Sequence, residues 1–338
     1  MKKVTMKDIA KVANVSHTTV SRALSGSPEI GAVTRARILN ISHDMGYTTA
    51  SAARSLAGKK SKTMGLIASS VISPFTAEIA YYIEQQALES GYNLILCNST
   101  GDLEKEEAAY RLLVNRQVDG IIIKPSNAKT FERVSPYFDL APTVFLNEAR
   151  PGSKESYVCV DNYGGACMGT EYLYSLGHRQ IVFFGKYSGR FARVPRADGY
   201  ADTCKKYGIT PQYVENTTGR STEEYGYEKG RAFFLSNDDC TAIFANNDAV
   251  ALGILRAADE CGVRIPEDVS LLGFDNIAYA ALPRIHLTTI AQPKQEIAAV
   301  AVNMLLEKIQ FPSLGYSQRI MKPSLVERNS CRPVADRQ

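Results

Sequence analysis

Apolar positions in the first 24 residues recur every three or four residues rather than alternately. Ile9, Val12 and Ala13 fall on one helical face, and Val20 and Leu24 on another. Thr5 with Asp8 three residues later reads as a capping box, Asn14 as a left-handed helix stop, and Ser16 as the N-cap of a second helix. Two short helices joined by a tight turn follow, with His17, Thr18, Ser21 and Arg22 on the outer side of the second. After the turn Ser25-Gly26-Ser27-Pro28 the spacing predicts a third helix from Ala32 to Met45. Val33, Ile38, Ile41 and Met45 would face inward, Gly46 would end it and Tyr47 would pack back on it. Residues 48–62 are small, polar and basic. Their helix-competent middle, 51–57, is too short to be stable by itself and is expected to order on binding.

From Thr63 the pattern changes to short continuous apolar runs alternating with amphipathic stretches. Strands are predicted at Met64–Ala68, Asn93–Cys97, Gly120–Ile123 and Thr143–Leu146, with helices over Phe75–Ser90 and Glu104–Arg116 between them. The pattern then restarts. Helices at Tyr163–Leu176, Asp198–Tyr207, Asp248–Cys261 and Gln295–Ile309 alternate with strands at Ile181–Gly185, Ala242–Ala245 and Val269–Gly273. Buried-type strands between helices indicate parallel sheets covered on both faces, and two such series imply two doubly wound lobes with a ligand cleft at the carboxyl ends of the strands.

The 338 residues suffice for two or three domains, and 45% hydrophobic with 22% charged residues is ordinary globular composition. Charge is uneven. Residues 1–62 hold 11 Lys and Arg against 3 Asp and Glu, a net +8, whereas the whole chain carries +4, so the remainder is net −4. A basic helix-turn-helix module on a mildly acidic body points to nucleic acid for the first part and another ligand for the rest. Seven cysteines without a C-x-x-C pair and four scattered histidines argue against a disulfide scaffold or a zinc site. A reduced, cytoplasmic chain with no metal and no cofactor is therefore expected. Neither a secretory leader nor a run near the roughly 20 apolar residues of a membrane span is evident. The stretch Tyr163–Gly169 lacks both G-x-G-x-x-G spacing and a P-loop Lys-Ser/Thr pair. His178, Cys159 and Cys167 read as packing residues, so no catalytic residue is expected.

TMKDIAKVANVSHTTVSRAL, AARSLAG, SPF at 73–75, VDN at 160–162, LGHRQI at 176–181, ANND at 245–248, IPEDVSLLGFDN at 265–276 and LTTIAQPK at 287–294 occur in this order. On these segments the chain resembles transcription regulators of the lactose/galactose repressor family. The resemblance implies an α/β fold: an N-terminal three-helix helix-turn-helix DNA-binding domain (1–48), a hinge helix (49–62) and a two-lobed periplasmic-binding-protein-like core of doubly wound parallel sheets (63–338). The N-lobe would span about 63–160 and 292–318, the C-lobe about 161–290 and 320–330. It implies a homodimeric repressor of a carbohydrate-utilisation operon, bound to a pseudopalindromic double-stranded DNA operator and controlled by a sugar or sugar derivative. A purine or other non-sugar corepressor remains open, with a sugar-binding protein or an enzyme as more distant readings. By the resemblance His17, Thr18 and Arg22 match base-reading positions; Leu56 matches a minor-groove wedge and Ala53 lies along that groove. Thr5, Ser16, Thr19, Ser21 and Thr34 would reach phosphates, although caps and surface hydroxyls also account for them.

For the effector, the resemblance implies Phe75 as a stacking aromatic, Arg196 as a gripping arginine, and Asn247, Asp275 and Gln292 as hydrogen-bonding groups. The chain departs from the family pattern at Asn147 and Glu148, where a carboxylate is common at the first position, and at Arg220 and Ser221. Lys124 and Arg220 add positive charge, which leaves a phosphorylated or acidic ligand open beside a neutral one. No leucine heptads follow Leu325, so a tetramerisation helix is not expected.

Overall fold

The computed structural model describes residues 4–24, 27–45, 60–126, 129–146, 152, 154–187, 195–217, 222–236 and 239–334. The chain divides into two compact units, Met1–Thr63 and Met64–Gln338.

The first unit packs three helices: α1 (Met6–Ala13), α2 (His17–Leu24) and α3 (Ala32–Asp44). Thr5 and Asp8 form the capping box, and Asn14 ends α1 in the left-handed region at φ 50°. Ile9, Ala13, Val20, Ala23 and Ile38 make the small core. Two expected core positions are not in it: Val12 is 59% exposed and Val33 86%. Ile41 and Met45 are half-buried against the core. A unit this small has too little interior to cover every apolar residue of its helices. The Arg37 guanidinium compensates in part, donating to the Ala13 carbonyl at 3.0 Å and tying α3 to the end of α1.

The second unit holds two six-stranded sheets. Its first half runs β1 (Thr63–Ala68), α4 (Pro74–Glu89), β2 (Asn93–Asn98), α5 (Leu103–Asn115), β3 (Gly120–Ile123), α6 (Lys129–Val134), β4 (Thr143–Leu146) and β5 (Tyr157–Val160). Its second half runs α7 (Asn162–Ser175), β6 (Ile181–Tyr187), α8 (Pro195–Lys206), β7 (Gln212–Asn216), α9 (Glu223–Leu235), β8 (Ala242–Ala245), α10 (Asp248–Cys261), β9 (Ser270–Asp275) and β10 (Thr288–Ala291). The chain closes with α11 (Lys294–Gln310), β11 (Gln318–Met321) and β12 (Ser324–Val326). Sheet order is β11-β5-β4-β3-β1-β2 in one sheet and β12-β10-β9-β8-β6-β7 in the other, so both repeat the same winding. Of the registered pairs only β10 with β12 is antiparallel.

The chain passes between the sheets three times: after β5, after β10 and between β11 and β12. The returning helix α11 packs on α4, β3, β4 and β5. An apolar cluster runs from Leu66, Ile79 and Ile122 of the first sheet's side to Phe184, Ile243 and Leu271 of the second. One strand departs from the reading of covered sheets. β2 is an edge strand, and its apolar residues Ile95 and Leu96 are exposed.

Candidate nucleic-acid interface and effector site

On α2, His17, Thr18 and Arg22 are exposed and Ser21 and Thr19 half-buried. Ser16 caps the helix, its Oγ accepting from the Thr19 N–H at 3.0 Å and meeting the Thr19 hydroxyl at 2.8 Å. Thr5 is exposed but bound into its capping box, and Thr34 is half-buried on α3. The capping therefore fixes α2 so that its N-terminal side chains project outward, the arrangement with which a recognition helix reads a major groove. Arg22 Nη1 lies 2.7 Å from Glu29 Oε2. Not all of the basic excess is free for DNA, since Arg35 and Arg37 donate to main-chain carbonyls of their own unit. Ala53 and Leu56 lie outside the described residues.

The effector candidates cluster at strand ends. Ser69 and Lys124 follow β1 and β3 of the first sheet. Asn246, Asn247, Asp275 and Gln292 follow or end β8, β9 and β10 of the second. Arg196 sits in the first turn of α8. Its guanidinium carbon lies 3.7 Å from the Phe274 ring centroid and each of its nitrogens has a partner: Nε donates to Asn162 Oδ1 at 2.8 Å, Nη1 to the Asn246 carbonyl at 2.5 Å, and Nη2 lies 3.2 Å from Asp275 Oδ1. Gln292 Nε2 donates to the same Asp275 oxygen at 2.6 Å, while the buried Gln292 Oε1 has no hydrogen-bond partner among the described residues. The structure thus brings Arg196, Asp275 and Gln292 together. Lys124 Nζ donates to Ser69 Oγ at 3.0 Å and contributes a favourable field at Asp275.

Asn247 has a second task. Its Oδ1 accepts from the Val250 N–H at 2.9 Å and caps α10. Phe75 is buried in the core cluster with Leu66 and Ile79. Glu223 and Glu224 are taken by Arg256, at 3.3 and 3.9 Å. Asn147, Glu148, Arg220 and Ser221 lie outside the described residues. His178 is a buried strut between Thr241, Ser270 and the Arg332 carbonyl. Burial pushes the Cys159 thiol up to about 11, as befits an inert core group.

Asp275 carries backbone strain, with φ 117°, and Asn276 follows at φ 52°. Burial raises the Asp275 pKa, opposed by Arg196, Gln292, Lys294 and Lys124. Behind it stands Asp248, which the sequence reading passed over although it ends the quoted segment ANND. Its oxygens accept from the Thr289 hydroxyl at 2.6 Å and the Ile277 N–H at 2.9 Å. Burial, then the neighbouring Asp275 charge, pushes its carboxyl up to about 8. Arg328 completes the set, donating to Asn276 Oδ1 at 2.8 Å and the Leu287 carbonyl at 2.7 Å. No sequence spacing singles it out.

Residues 5–50 match the family described as bacterial regulatory proteins, lacI family, and residues 170–331 match the periplasmic binding protein-like domain. The HTH-type transcriptional repressor PurR of Edwardsiella ictaluri (strain 93-146) is 33% identical over 338 residues, covering 98% of this chain and 97% of that protein. The crystal structure of the lac repressor dimer bound to operator and the anti-inducer ONPF superposes with a TM-score of 0.82 at 25% identity, over 98% of this chain and 100% of that one. A LacI family transcriptional regulator from Enterococcus faecalis V583 with bound ribose gives a TM-score of 0.69 at 28% identity, over 81% and 100%. The chain belongs to the lacI family of bacterial regulatory proteins: it is a DNA-binding transcriptional regulator and not an enzyme.

Proposed function

We propose that the protein is a dimeric repressor whose affinity for a pseudopalindromic operator is set by a small neutral effector, a sugar or a sugar-bearing nucleoside, at Arg196, Asp275 and Gln292. The observation that carries this reading is the ion pair of Arg196 with Asp275 and the partners of its other two nitrogens. Its N–H groups already meet Asn162, Asn246 and Asp275, so the base of the site offers little uncompensated positive charge to a phosphate. Beside Arg196 stand two acceptors, the Asp275 carboxylate and Gln292 Oε1. Ring hydroxyls or N–H groups supply donors to such a set. The ribose in the Enterococcus faecalis regulator supports a pentose, free or within a nucleoside. The base-reading roles of His17, Thr18 and Arg22 belong to the same proposal.

The dimer surface is proposed on the first sheet's side. There Val71, Ala77, Ala80, Tyr81, Glu84, Leu94 and Leu96 line a groove of about 250 Å³, and Tyr81 is 56% and Leu96 47% exposed. An uncovered apolar face of this kind marks an interaction site, and the lac repressor structure is described as a dimer.

Two measurements test the reading. Selection from a random duplex pool should enrich a two-fold symmetric sequence, with affinity falling about 10³- to 10⁵-fold between 50 and 200 mM salt. A thermal-shift panel of ribose, cytidine, adenosine, hypoxanthine and ribose 5-phosphate should show stabilisation by a neutral member. Stabilisation by the phosphate alone would defeat the neutral-ligand version.

A further inference from the structure

Lys294 opens α11 with its side chain only 10% exposed, and Nζ lies 2.6 Å from Oε2 of Glu78 on α4, itself 24% exposed. The same ammonium donates to the main-chain carbonyls of Asp275, at 3.5 Å, and Asn276. The other Glu78 oxygen accepts from the Ala278 N–H at 2.8 Å. α4 and α11 pack on one another, and α11 packs on β3, β4 and β5 of the first sheet. Residues 275–278 continue from β9 of the second. The pair therefore bridges the two lobes, and it does so at the loop that carries the strained Asp275.

That loop is held from both sides. The second lobe grips it through Asp248 on the Ile277 N–H and Arg328 on Asn276. The first lobe grips it through Glu78 and Lys294. Left-handed backbone at Asp275 and Asn276 persists only where surrounding contacts over-determine it. A ligand shifts an equilibrium between lobe arrangements only through contacts that differ between them. Glu78 and Lys294 supply such contacts, because the main-chain groups they hold at Asp275, Asn276 and Ala278 belong to the opposite lobe.

We propose that Glu78 and Lys294 form an inter-lobe latch that positions Asp275 and couples its occupancy to α4, the helix whose residues Ala77 and Tyr81 line the proposed dimer groove. The coupling rests on the effector and dimer reading above; the latch itself rests on the contacts alone. Neither residue touches the ligand in this scheme, so both are positioning residues.

The test uses the full chain without ligand. Glu78→Ala and Lys294→Met should each raise hydrogen exchange across residues 275–282, and the double variant should raise it no further. Glu78→Gln keeps the acceptor for Ala278 and drops only the charge, so its effect should fall between. On the operator that wild type selects from random DNA, these variants should shift affinity about fivefold or more, all in one direction. Glu89→Gln, an exposed control on the same helix, should stay within about twofold of wild type. Unchanged exchange would overturn the latch. Faster exchange and a lower melting point with unaltered operator affinity would overturn the coupling, leaving a strut. A wild-type chain that enriches no DNA would instead defeat the DNA-binding reading, with exchange still deciding the latch. A ligand panel without effect on wild type would defeat only the effector reading.

Discussion

Arg22 is engaged before DNA arrives, by Glu29 at 2.7 Å in an exposed pair. Such pairs contribute about 0–1 kcal/mol, whereas a bidentate arginine on guanine discriminates by about 1–3 kcal/mol, so exchange of partners favours DNA. Arg22→Ala should therefore lose about 1–3 kcal/mol of discrimination at one guanine of each half-site, read by competition with single-base variants of the selected operator. Asp248 gives a pH signature. Its folded pKa, about 8, stands above the usual 3.8, so the folded chain keeps a proton that the unfolded chain releases. Stability from that proton is complete below roughly pH 4 and is lost as pH rises through about 8. Asp248→Asn cannot ionise, and its melting temperature should gain on wild type from pH 5 to 8.5 in scanning calorimetry; a constant difference would contradict the assignment. Asp275 and Gln292 stand in the quoted family-bearing segments, whereas Arg196 lies outside them and was named from the resemblance. The pairing of Arg196 with Asp275, 79 positions on, is not legible in the sequence, because no local spacing records a contact between a helix and a distant strand end. For the same reason the resemblance names Arg196 as a gripping arginine without the partners that compensate its charge.

Among the elements, the long helices α10 and α11 and the short, wholly apolar strands β3 and β8 were visible in the pattern, whereas α9 and β7 were not. α9 reads EEYGYEKGRAFFL, with two glycines that weaken helix propensity. Its packing explains the glycines. A Cβ on Gly226 would lie 2.2 Å from the Val250 carbonyl, and one on Gly253 of α10 would lie 2.0 Å from the Glu223 carbonyl. Close approach of two helices is what the sequence specified there, at the expense of the local signal. Gly253→Ala should destabilise the core by about 3 kcal/mol, since backbone on the facing helix must move. A denaturation midpoint equal to wild type would show that α9 yields freely. β7, QYVEN, alternates too weakly to stand out, and β2 read as covered because hydrophobic runs do not say whether a strand is central or at an edge.

At the scale of the whole molecule, one helix-turn-helix per chain reads too few bases for a monomer to be selective, and joining two half-sites raises avidity about 10²- to 10⁴-fold. Leu96→Lys places a charge in the groove with Tyr81 and Leu94. The variant should sediment as a monomer and bind the full operator at least tenfold more weakly, by about 1.4 kcal/mol or more, while binding an isolated half-site as wild type does. A dimer that survives the change would move the interface elsewhere. The three passages of the chain between the sheets also bear on how the protein is made. The first sheet gains its outermost strand, β11, and the second gains β12, only from residues 318–326. Until those residues emerge, β5 and then β10, once made, are unfinished edges open to pairing with other nascent chains. Helices α1 to α3 share a small core of their own, so a DNA-reading module can mature on the ribosome while the part meant to govern it is still being assembled.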